Sequence, residues 1–180
     1  SGDEVGIIRL SDLPAREQKY QLPGHNSKPV EDLAWSPDGK YLASGGHDFL
    51  VRLWNPAEGE QLAAFTERIK KPFVHEKGFE FAVGMTNVSH EDIVLSLSWA
   101  PNGKRLASAS WDKTVAIWDV PAGTQLVGMK NLGWITAVAW SPQGEQVAFG
   151  GHDQAVHLHS PTGKELQKLQ GHTNWVRSLA

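Results

Sequence analysis

Short apolar runs separated by turn residues recur along this chain. Between His90 and Val120 there are three such runs, IVLSLSW, KRLASAS and TVAIWDV; Pro-Asn-Gly separates the first two and Trp-Asp-Lys the last two. Within the first run apolar residues alternate with serines, which places Leu95, Leu97 and Trp99 on one face. Period-two alternation between turn residues predicts antiparallel strands.

The same pattern occurs on both sides of this stretch. LAWSPDG, LASGGHD and VRLW follow one another from Leu33 to Trp54, and VAWSPQG leads through Asp153 to VHLH. The turn aspartates Asp48, Asp112 and Asp153 are 64 and 41 residues apart. A period near 41 residues with four strands per unit is typical of propeller blades. The longer gap equals one period plus an insertion of about two dozen residues.

The period divides the chain into consecutive units. We predict a half blade at 1–23, a full blade at 24–66, an insertion at 67–89, full blades at 90–130 and 131–170, and the first strand of a further blade at 171–180. Only a closed ring leaves a propeller without long sheet edges, and three and a half blades cannot close one without severe distortion. We therefore expect an all-β fold in an incomplete ring, either an arc of a larger propeller or a chain that completes its ring with a second copy.

The motifs of these units resemble those of WD repeats. Gly-His opens two units, at 24–25 and 171–172, Ser-Pro-Asp-Gly-like turns and Leu-Ala-Ser follow, and Trp-Asp closes a third strand at 118–119. The resemblance covers nearly the whole chain except the insertion. It implies β-propeller blades of four antiparallel strands around a central channel, and a role as a scaffold that binds a protein or peptide.

The resemblance also implies a structural tetrad, a hydrogen-bonded set of four residues in each well-matched blade. The two sets are His25, Ser44, Asp48 and Trp54, and His90, Ser108, Asp112 and Trp118. The residue types suit this role, because a buried carboxylate needs donors and an imidazole N–H supplies one. The other imidazole nitrogen can accept from the serine hydroxyl, which the indole N–H reaches in turn. Loss of one member would leave buried polar groups without partners, at about 1–3 kcal/mol each.

Two units depart from the tetrad pattern. In the third full unit Asp153 is kept, but Phe149, His159 and Asn131 stand where serine, tryptophan and histidine are expected. In the opening half unit, Val5 and Ser11 replace the aspartate and the tryptophan. We expect the polar network to be absent or rebuilt in these blades.

Two chemical alternatives use the same residues. Ser44, His25 and Asp48 are the residue types of a hydrolase triad, but the trio recurs one blade later with its tryptophan, and no Gly-x-Ser-x-Gly elbow is present. A zinc or copper site could be built from histidines, although no metal-ligand spacing is found; the candidates are His152, His157 and His159. Otherwise His159 fills the vacated tryptophan position and His157 lies at a blade contact or on the rim. We predict no catalysis, no cofactor and no metal.

Aromatic residues mark a candidate partner surface. Trp134 and Trp175 occupy matching places at the start of first strands, and Trp111, His47 and His152 each precede a turn aspartate. The resemblance places both positions on the loop-rich face near the channel mouth. Exposed tryptophan often anchors a partner, so these residues are predicted to bind one; the alternative is that they pack against a neighbouring loop. The insertion is expected on the same face, because it joins the fourth strand of one blade to the first strand of the next. It adds Phe73, Phe79 and Phe81 to the candidates, unless it only caps the channel.

Composition narrows the partner classes. The net charge is −3, from 17 basic and 20 acidic residues without a block of like charge, which argues against nucleic acid as the partner. No apolar run is long enough to span a bilayer and nothing resembles a signal peptide, so we expect no membrane partner and a cytoplasmic location. The leading function is a non-catalytic scaffold. The alternatives are a purely structural arc of a multidomain or homo-oligomeric propeller, or a propeller enzyme or metal site at the channel mouth.

Overall fold

The computed structural model describes residues 1–12, 17–65 and 89–180, and its regular elements in these ranges are all β-strands. In chain order they are β1 Ile7–Asp12, β2 Glu17–Pro23, β3 Val30–Trp35, β4 Leu42–Gly46, β5 Val51–Asn55, β6 Glu60–Phe65, β7 Val94–Trp99, β8 Arg105–Ser110, β9 Thr114–Asp119, β10 Thr124–Lys130, β11 Ile135–Trp140, β12 Val147–Gly151, β13 Val156–His159 and β14 Glu165–Leu169. No helix that could cross a membrane is found in these ranges.

The strands form four antiparallel sheets in which neighbours follow chain order. β1 and β2 make a two-stranded sheet, called here the half blade. Blade 1 is β3 to β6, blade 2 is β7 to β10 and blade 3 is β11 to β14. These sheets confirm the predicted all-β fold of four-stranded blades. The described strands do not close into a ring.

The apolar core lies between neighbouring sheets. One cluster joins the half blade to blade 1, a second joins blade 1 to blade 2, and a third joins blade 2 to blade 3. In the second cluster, Phe65 of β6 stacks on Trp118 of β9 with ring centroids 5.5 Å apart. Gly45 of β4 lies so near the next blade that a Cβ there would come within 2.6 Å of Val94. Small residues on second strands therefore let successive blades pack closely.

First strands are linked from blade to blade by side chains that accept backbone N–H groups. Asp32 of β3 accepts from Leu97 N of β7 at 2.6 Å, and Ser96 of β7 accepts from Val138 N of β11 at 3.3 Å. The register makes Asp32 and Ser96 equivalent, and likewise Leu97 and Val138. Polar residues that alternate with the apolar ones along these strands thus bind the next blade.

Two positions in the turns have positive φ, one that the turn motif predicts and one that it does not. Glycines of the Ser-Pro-Asp-Gly-type turns have positive φ, as at Gly39 and Gly103 (+71° and +67°), which explains why the motif ends in glycine. The residue after each turn aspartate also has positive φ without being glycine, at Phe49, Lys113 and Gln154 (68°, 69° and 61°). Each aspartate carboxylate accepts the backbone N–H two residues ahead, which stabilises that turn locally.

Residues 171–180 form no strand, contrary to the prediction of a first strand there. Val176 packs against Gly150 and donates its backbone N–H to Gly151 at 3.1 Å. Thr136 of β11 donates its hydroxyl to the Val176 carbonyl. The segment therefore lies along blade 3, but no second strand of the described residues forms a ladder with it, and a strand requires that ladder.

Candidate functional site

The first tetrad links four elements of blade 1. His25 precedes β3, Ser44 lies on β4, Asp48 lies in the β4–β5 turn and Trp54 lies on β5. His25 Nδ1 donates to Asp48 at 2.7 Å, because a carboxylate can only accept. His25 Nε2 lies 2.7 Å from Ser44 Oγ and accepts its hydroxyl proton, and Trp54 Nε1 donates to the same oxygen at 2.8 Å. The tetrad ties the loop before the first strand to the second and third strands.

The second tetrad repeats this arrangement in blade 2. His90 Nδ1 lies 2.9 Å from Asp112, His90 Nε2 lies 2.7 Å from Ser108 Oγ, and Trp118 Nε1 donates to Ser108 Oγ at 2.8 Å. Asp112 also accepts the backbone N–H groups of Glu91 and Thr114 at 2.9 and 2.8 Å. Each turn aspartate thus receives several donors from different parts of its blade.

Burial gives the tetrad serines a structural role. Ser44, His25, Ser108 and His90 are all 0% exposed. Each serine oxygen is already engaged by an imidazole and an indole, so no substrate carbonyl can reach it. A nucleophile must approach its substrate, and these hydroxyls cannot. The geometry therefore favours the structural reading over the hydrolase triad.

The tetrad aspartates have low pKa values. Burial alone would raise the pKa of Asp48 and of Asp112, but the hydrogen bonds and charges of their partners outweigh it. His25 and Arg52 hold the pKa of Asp48 below its ordinary value, and His90 and Thr114 do so for Asp112. Asp32 is the opposite case, because burial raises its pKa despite the N–H groups of Leu97 and Leu33.

These shifts predict how stability depends on pH. A carboxyl whose pKa is depressed by folding stabilises the fold above its unfolded pKa of about 3.9, and the stabilisation is lost as the pH falls through the folded value. We therefore expect the free energy of unfolding, from urea titrations followed by tryptophan fluorescence, to fall between about pH 5 and pH 2. Asp112→Asn should be less stable at pH 7 and should show a shallower fall.

Asp32→Asn provides a control of opposite sign. The raised pKa of Asp32 stabilises the fold at low pH, and this contribution is lost as the pH rises through its folded pKa. Removing Asp32 should therefore steepen the loss of stability on acidification rather than reduce it. An Asp112→Asn variant that keeps the full acid dependence would contradict the assignment of a buried, ionised Asp112.

Blade 3 has a rebuilt network in place of a tetrad. Asp153 binds His157 Nε2 of β13 at 2.7 Å and Lys168 Nζ of β14 at 3.4 Å. Phe149, at the serine position, stacks on His157 with ring centroids 5.1 Å apart. His159 pairs with Val147 just as Trp54 pairs with Leu42, so it occupies the tryptophan position as expected. The imidazole that binds the aspartate thus comes from a strand and not from the loop before β11.

The three histidines of the metal alternative do not converge. His157 and His159 lie on β13 against Phe149, whereas His152 contacts Trp134 and Trp175. The described part of the chain contains no group of three histidine, aspartate or glutamate side chains placed to hold a metal ion.

Four predicted residues meet in one patch on the loop face, the face that carries the loops before first strands and the turns between second and third strands. This aromatic cluster consists of Trp111, Trp134, His152 and Trp175. Trp134 lies at its centre, with ring centroids 5.4 Å from Trp111, 5.4 Å from His152 and 6.2 Å from Trp175. Arg177 adds a guanidinium 6.0 Å from the Trp175 ring. The cluster extends from blade 2 across blade 3 to the segment 171–180.

Backbone hydrogen bonds explain why the rings meet. Trp111 donates its N–H to Ile93 at 3.0 Å, and His152 donates its N–H to Trp134 at 2.9 Å. Each turn is thereby fixed beside the start of its own first strand. In blade 3 this brings His152 next to Trp134, whereas Trp111 of blade 2 meets Trp134 across the contact between the two blades. The rings pack on each other, and Trp134 stays 41% exposed. Partner binding by these residues stays a prediction.

The remaining predicted partner residues lie elsewhere. His47 donates to the Glu31 carboxylate at 2.5 Å, and no ring contact joins it to the aromatic cluster within the described ranges. Phe73, Phe79 and Phe81 lie outside the described residues. Sequence reasoning missed Leu132, which is 86% exposed two residues before Trp134. It also missed Arg52, which donates to Asp48 at 2.8 Å; a cation four residues after the turn aspartate could have indicated it.

The family model described as WD domain, G-beta repeat, matches residues 16–55, 84–119 and 126–160. Together these segments cover more than half of the chain. Each segment ends with the third strand of a blade, at the end of β5, β9 or just after β13. One begins one residue before β2, the last strand of the half blade, and another begins within β10, the fourth strand of blade 2. The sequence repeat is thus offset from the blade by one strand and ties neighbouring sheets together.

Several curated proteins are similar to this chain. A ribosome biogenesis protein WDR12 homolog of Brugia malayi is 26% identical over 99% of the chain and 44% of its own length. Human coronin-7 is 34% identical over 89% of the chain and 16% of its own length. A mouse protein named as a component of chromatin assembly factor 1 is 29% identical over 78% of the chain and 25% of its own length. The chain therefore spans less than half the length of each of these relatives.

Proposed function

This chain belongs to the WD-repeat family, and on that basis we propose that it is a non-catalytic scaffold that binds a protein or peptide on its loop face. The observation that carries the proposal is the aromatic cluster, whose central Trp134 is 41% exposed. Tryptophan is enriched among residues that dominate binding energy, because a large apolar ring with one polar atom loses much water-exposed area on contact.

The tetrads support the non-catalytic part of the proposal. Their serine, histidine and aspartate side chains are used inside the blades, where they fix loops to strands. The loop face is thereby held by buried polar sets in blades 1 and 2. Binding surfaces commonly lie on loops that a rigid scaffold positions in this way.

The class of partner follows from charge and from the relatives' names. A net charge of −3 offers no general attraction for phosphates, so a protein partner is favoured over nucleic acid. Two relatives are named for ribosome biogenesis and for a chromatin assembly factor, and these names fit participation in multi-protein assemblies. Phe73, Phe79 and Phe81 remain proposed contributors from the insertion.

Trp134→Ala is the variant that tests this function. Loss of a central interface tryptophan costs about 2 kcal/mol of binding, roughly a thirtyfold loss of affinity. We expect the variant to fold and to capture its partner far less well, and Trp111→Ala to act in the same direction. The measurement is capture on the immobilised chain with quantitative mass spectrometry, followed by titration of the most enriched protein against each variant.

The matched control is Leu62→Ala. Leu62 is 48% exposed on β6, away from the aromatic cluster, so its removal should leave capture unchanged. If both tryptophan variants fail to fold, their rings are core residues and the proposal loses its support.

Deletion of residues 67–88, followed by the same capture experiment, tests whether the insertion contributes to binding.

A further inference from the structure

A cleft of about 310 Å³ opens between blades 2 and 3, beside the aromatic cluster. One wall is 130–132, at the end of β10 and in the loop that follows it. The other wall is formed by His157 and His159 of β13 with Glu165 and Lys168 of β14. The blades on either side of the cleft each have all four strands, so this chain forms the cleft by itself.

Two histidines are the most deeply buried residues of the cleft. His157 and His159 are each 7% exposed. His157 Nε2 donates to Asp153 at 2.7 Å, and His159 Nδ1 donates to the Gly163 carbonyl at 3.2 Å. Within the described ranges, the other nitrogen of each ring makes no hydrogen bond. A neutral imidazole accepts at that nitrogen, so the cleft offers two acceptors to the N–H groups of a ligand.

Two lysines give positive charge to the end of the cleft at the loop face. Lys130 is exposed and forms no ion pair with a described residue. Lys168 Nζ lies 3.4 Å from Asp153, but this carboxylate already accepts from His157 at 2.7 Å. Two ammonium groups therefore line the cleft, and the one carboxylate near them is shared with an imidazole. Such a surface attracts a negatively charged group.

The one carboxylate that lines the cleft lies toward its other end. Glu165 pairs with His159, whereas Lys168 pairs with His157. Three residues of strand separate Glu165 from Lys168, a distance of about 10 Å. The cleft therefore changes along its length, from basic beside the aromatic cluster to acidic at the far end.

An exposed leucine joins the cleft to the aromatic cluster. Leu132 lines the cleft, is 86% exposed and lies two residues before Trp134. The loop holds it in that place, because Asn131 Oδ1 accepts the Leu132 N–H at 2.8 Å and the Asn131 N–H donates to the Lys113 carbonyl at 2.9 Å. Two residues of chain span at most about 7 Å, so Leu132 lies close to Lys130. Apolar and basic contacts thus follow each other within a short distance.

This order of contacts defines the partner more closely. Resting on the proposed function, we infer that the bound partner is an extended acidic peptide segment, in which an apolar side chain contacts Trp134 and Leu132 and a carboxylate two or three residues away binds Lys130 and Lys168. Charge complementarity favours the carboxylate. The extended backbone of such a segment also carries N–H groups, which the free imidazole nitrogens can accept.

Peptide selection on the immobilised full chain tests the inference. The probe is a library of synthetic peptides of about ten residues with one fixed tryptophan, in which the flanking positions carry Asp, Glu, Asn, Gln, Lys, Arg, Ser or Gly at random. We expect Asp and Glu to be enriched two or three positions from the tryptophan. An enriched peptide should bind about tenfold more tightly than its counterpart with Asn and Gln at those positions. Enrichment of neutral or basic residues instead, or of none, would overturn the inference.

Three variants assign the preference to the cleft. Lys130→Glu should weaken binding of the acidic peptide by about tenfold and leave its amide counterpart unchanged, because only the charge contact is reversed. Leu132→Ala should weaken both peptides alike, because it removes an apolar contact. Lys104→Glu is the matched control, since it makes the same charge change at an exposed lysine in the turn between β7 and β8, at the opposite end of blade 2. It should leave both affinities unchanged, and circular dichroism verifies that all three variants fold.

Trp134→Ala separates this inference from the function on which it rests. If the selected peptides lose affinity in Trp134→Ala but bind Lys130→Glu as tightly as the unmodified chain, the loop face binds peptides and the acidic preference is refuted. If Trp134→Ala binds every selected peptide normally, the proposed function fails, and the inference fails with it. Loss of affinity in both variants, with the amide counterpart insensitive to Lys130→Glu, is the result that supports the inference.

Discussion

Replacing Trp118 by alanine should lower the free energy of unfolding by about 3–5 kcal/mol, the range for a fully buried aromatic residue. Trp118 is 0% exposed and lies between two blades, where its ring stacks on Phe65. Its indole N–H also donates to Ser108. The change therefore opens a cavity and leaves the serine oxygen with one partner fewer. Urea unfolding followed by far-UV circular dichroism measures the loss.

Trp35→Ala is the control for this prediction. It removes the same side chain from a position that is 53% exposed, so the expected loss is about 1 kcal/mol or less. Equal losses for the two variants would contradict the conclusion that packing between blades stabilises the fold. If both variants lose little free energy of unfolding, the fold is stabilised mainly by contacts within single sheets.

The blades could be predicted from the sequence because their signals are local. A strand in a meander pairs with its neighbour along the chain, so alternation and turn residues suffice to place β7, β8 and β9. The tetrads could be predicted because the motif fixes the spacing of residues such as His90 and Ser108 in every complete copy. In these parts of the chain, residues at the same position of the sequence repeat occupy the same position in their blades.

The rebuilt network of blade 3 could not be predicted in the same way. Three substitutions in the third unit predict a lost tetrad, but only the structure shows that His157 of β13 replaces the loop histidine as the partner of Asp153. The spacing of His157 from Asp153 equals that of Arg52 from Asp48, and Arg52 also binds its aspartate. In blades 1 and 3, the side chain four residues after the turn aspartate binds its carboxylate. The repeat motif does not specify a residue type at this position.

The aromatic cluster was predictable residue by residue, but its shape was not. Equivalent positions in the repeat place Trp111 and His152 on one face, together with Trp134 and Trp175. That Trp134 lies at the centre follows from the approach of two turns to two strand starts, a contact between blades that the repeat alone does not specify. His47 differs because it has a carboxylate within reach, and it binds Glu31 instead.

His90→Ala should lower the free energy of unfolding at pH 7 by roughly 2–5 kcal/mol, because it leaves both Ser108 and Asp112 short of a partner inside the blade. Asp112 keeps other hydrogen bonds, from Glu91 and Thr114, which limits the loss. The pKa of Asp112 should rise in the variant, because burial still raises it and the opposing contribution of His90 is gone. The free energies of unfolding measured with urea at pH 7 and at pH 3 should therefore differ less in the variant than in the unmodified chain.

His47→Ala is the comparison that isolates burial as the cause. His47 and Glu31 form a shorter pair than His90 and Asp112, at 2.5 against 2.9 Å, but both of its side chains are about one third exposed. If the distance between imidazole and carboxylate set the energy, His47→Ala would be the more costly change. Water screens the exposed pair and solvates the carboxylate that remains, so we expect a loss of about 1 kcal/mol or less. A loss for His47→Ala that matches the one for His90→Ala would refute the claim that desolvation makes the tetrads important for stability.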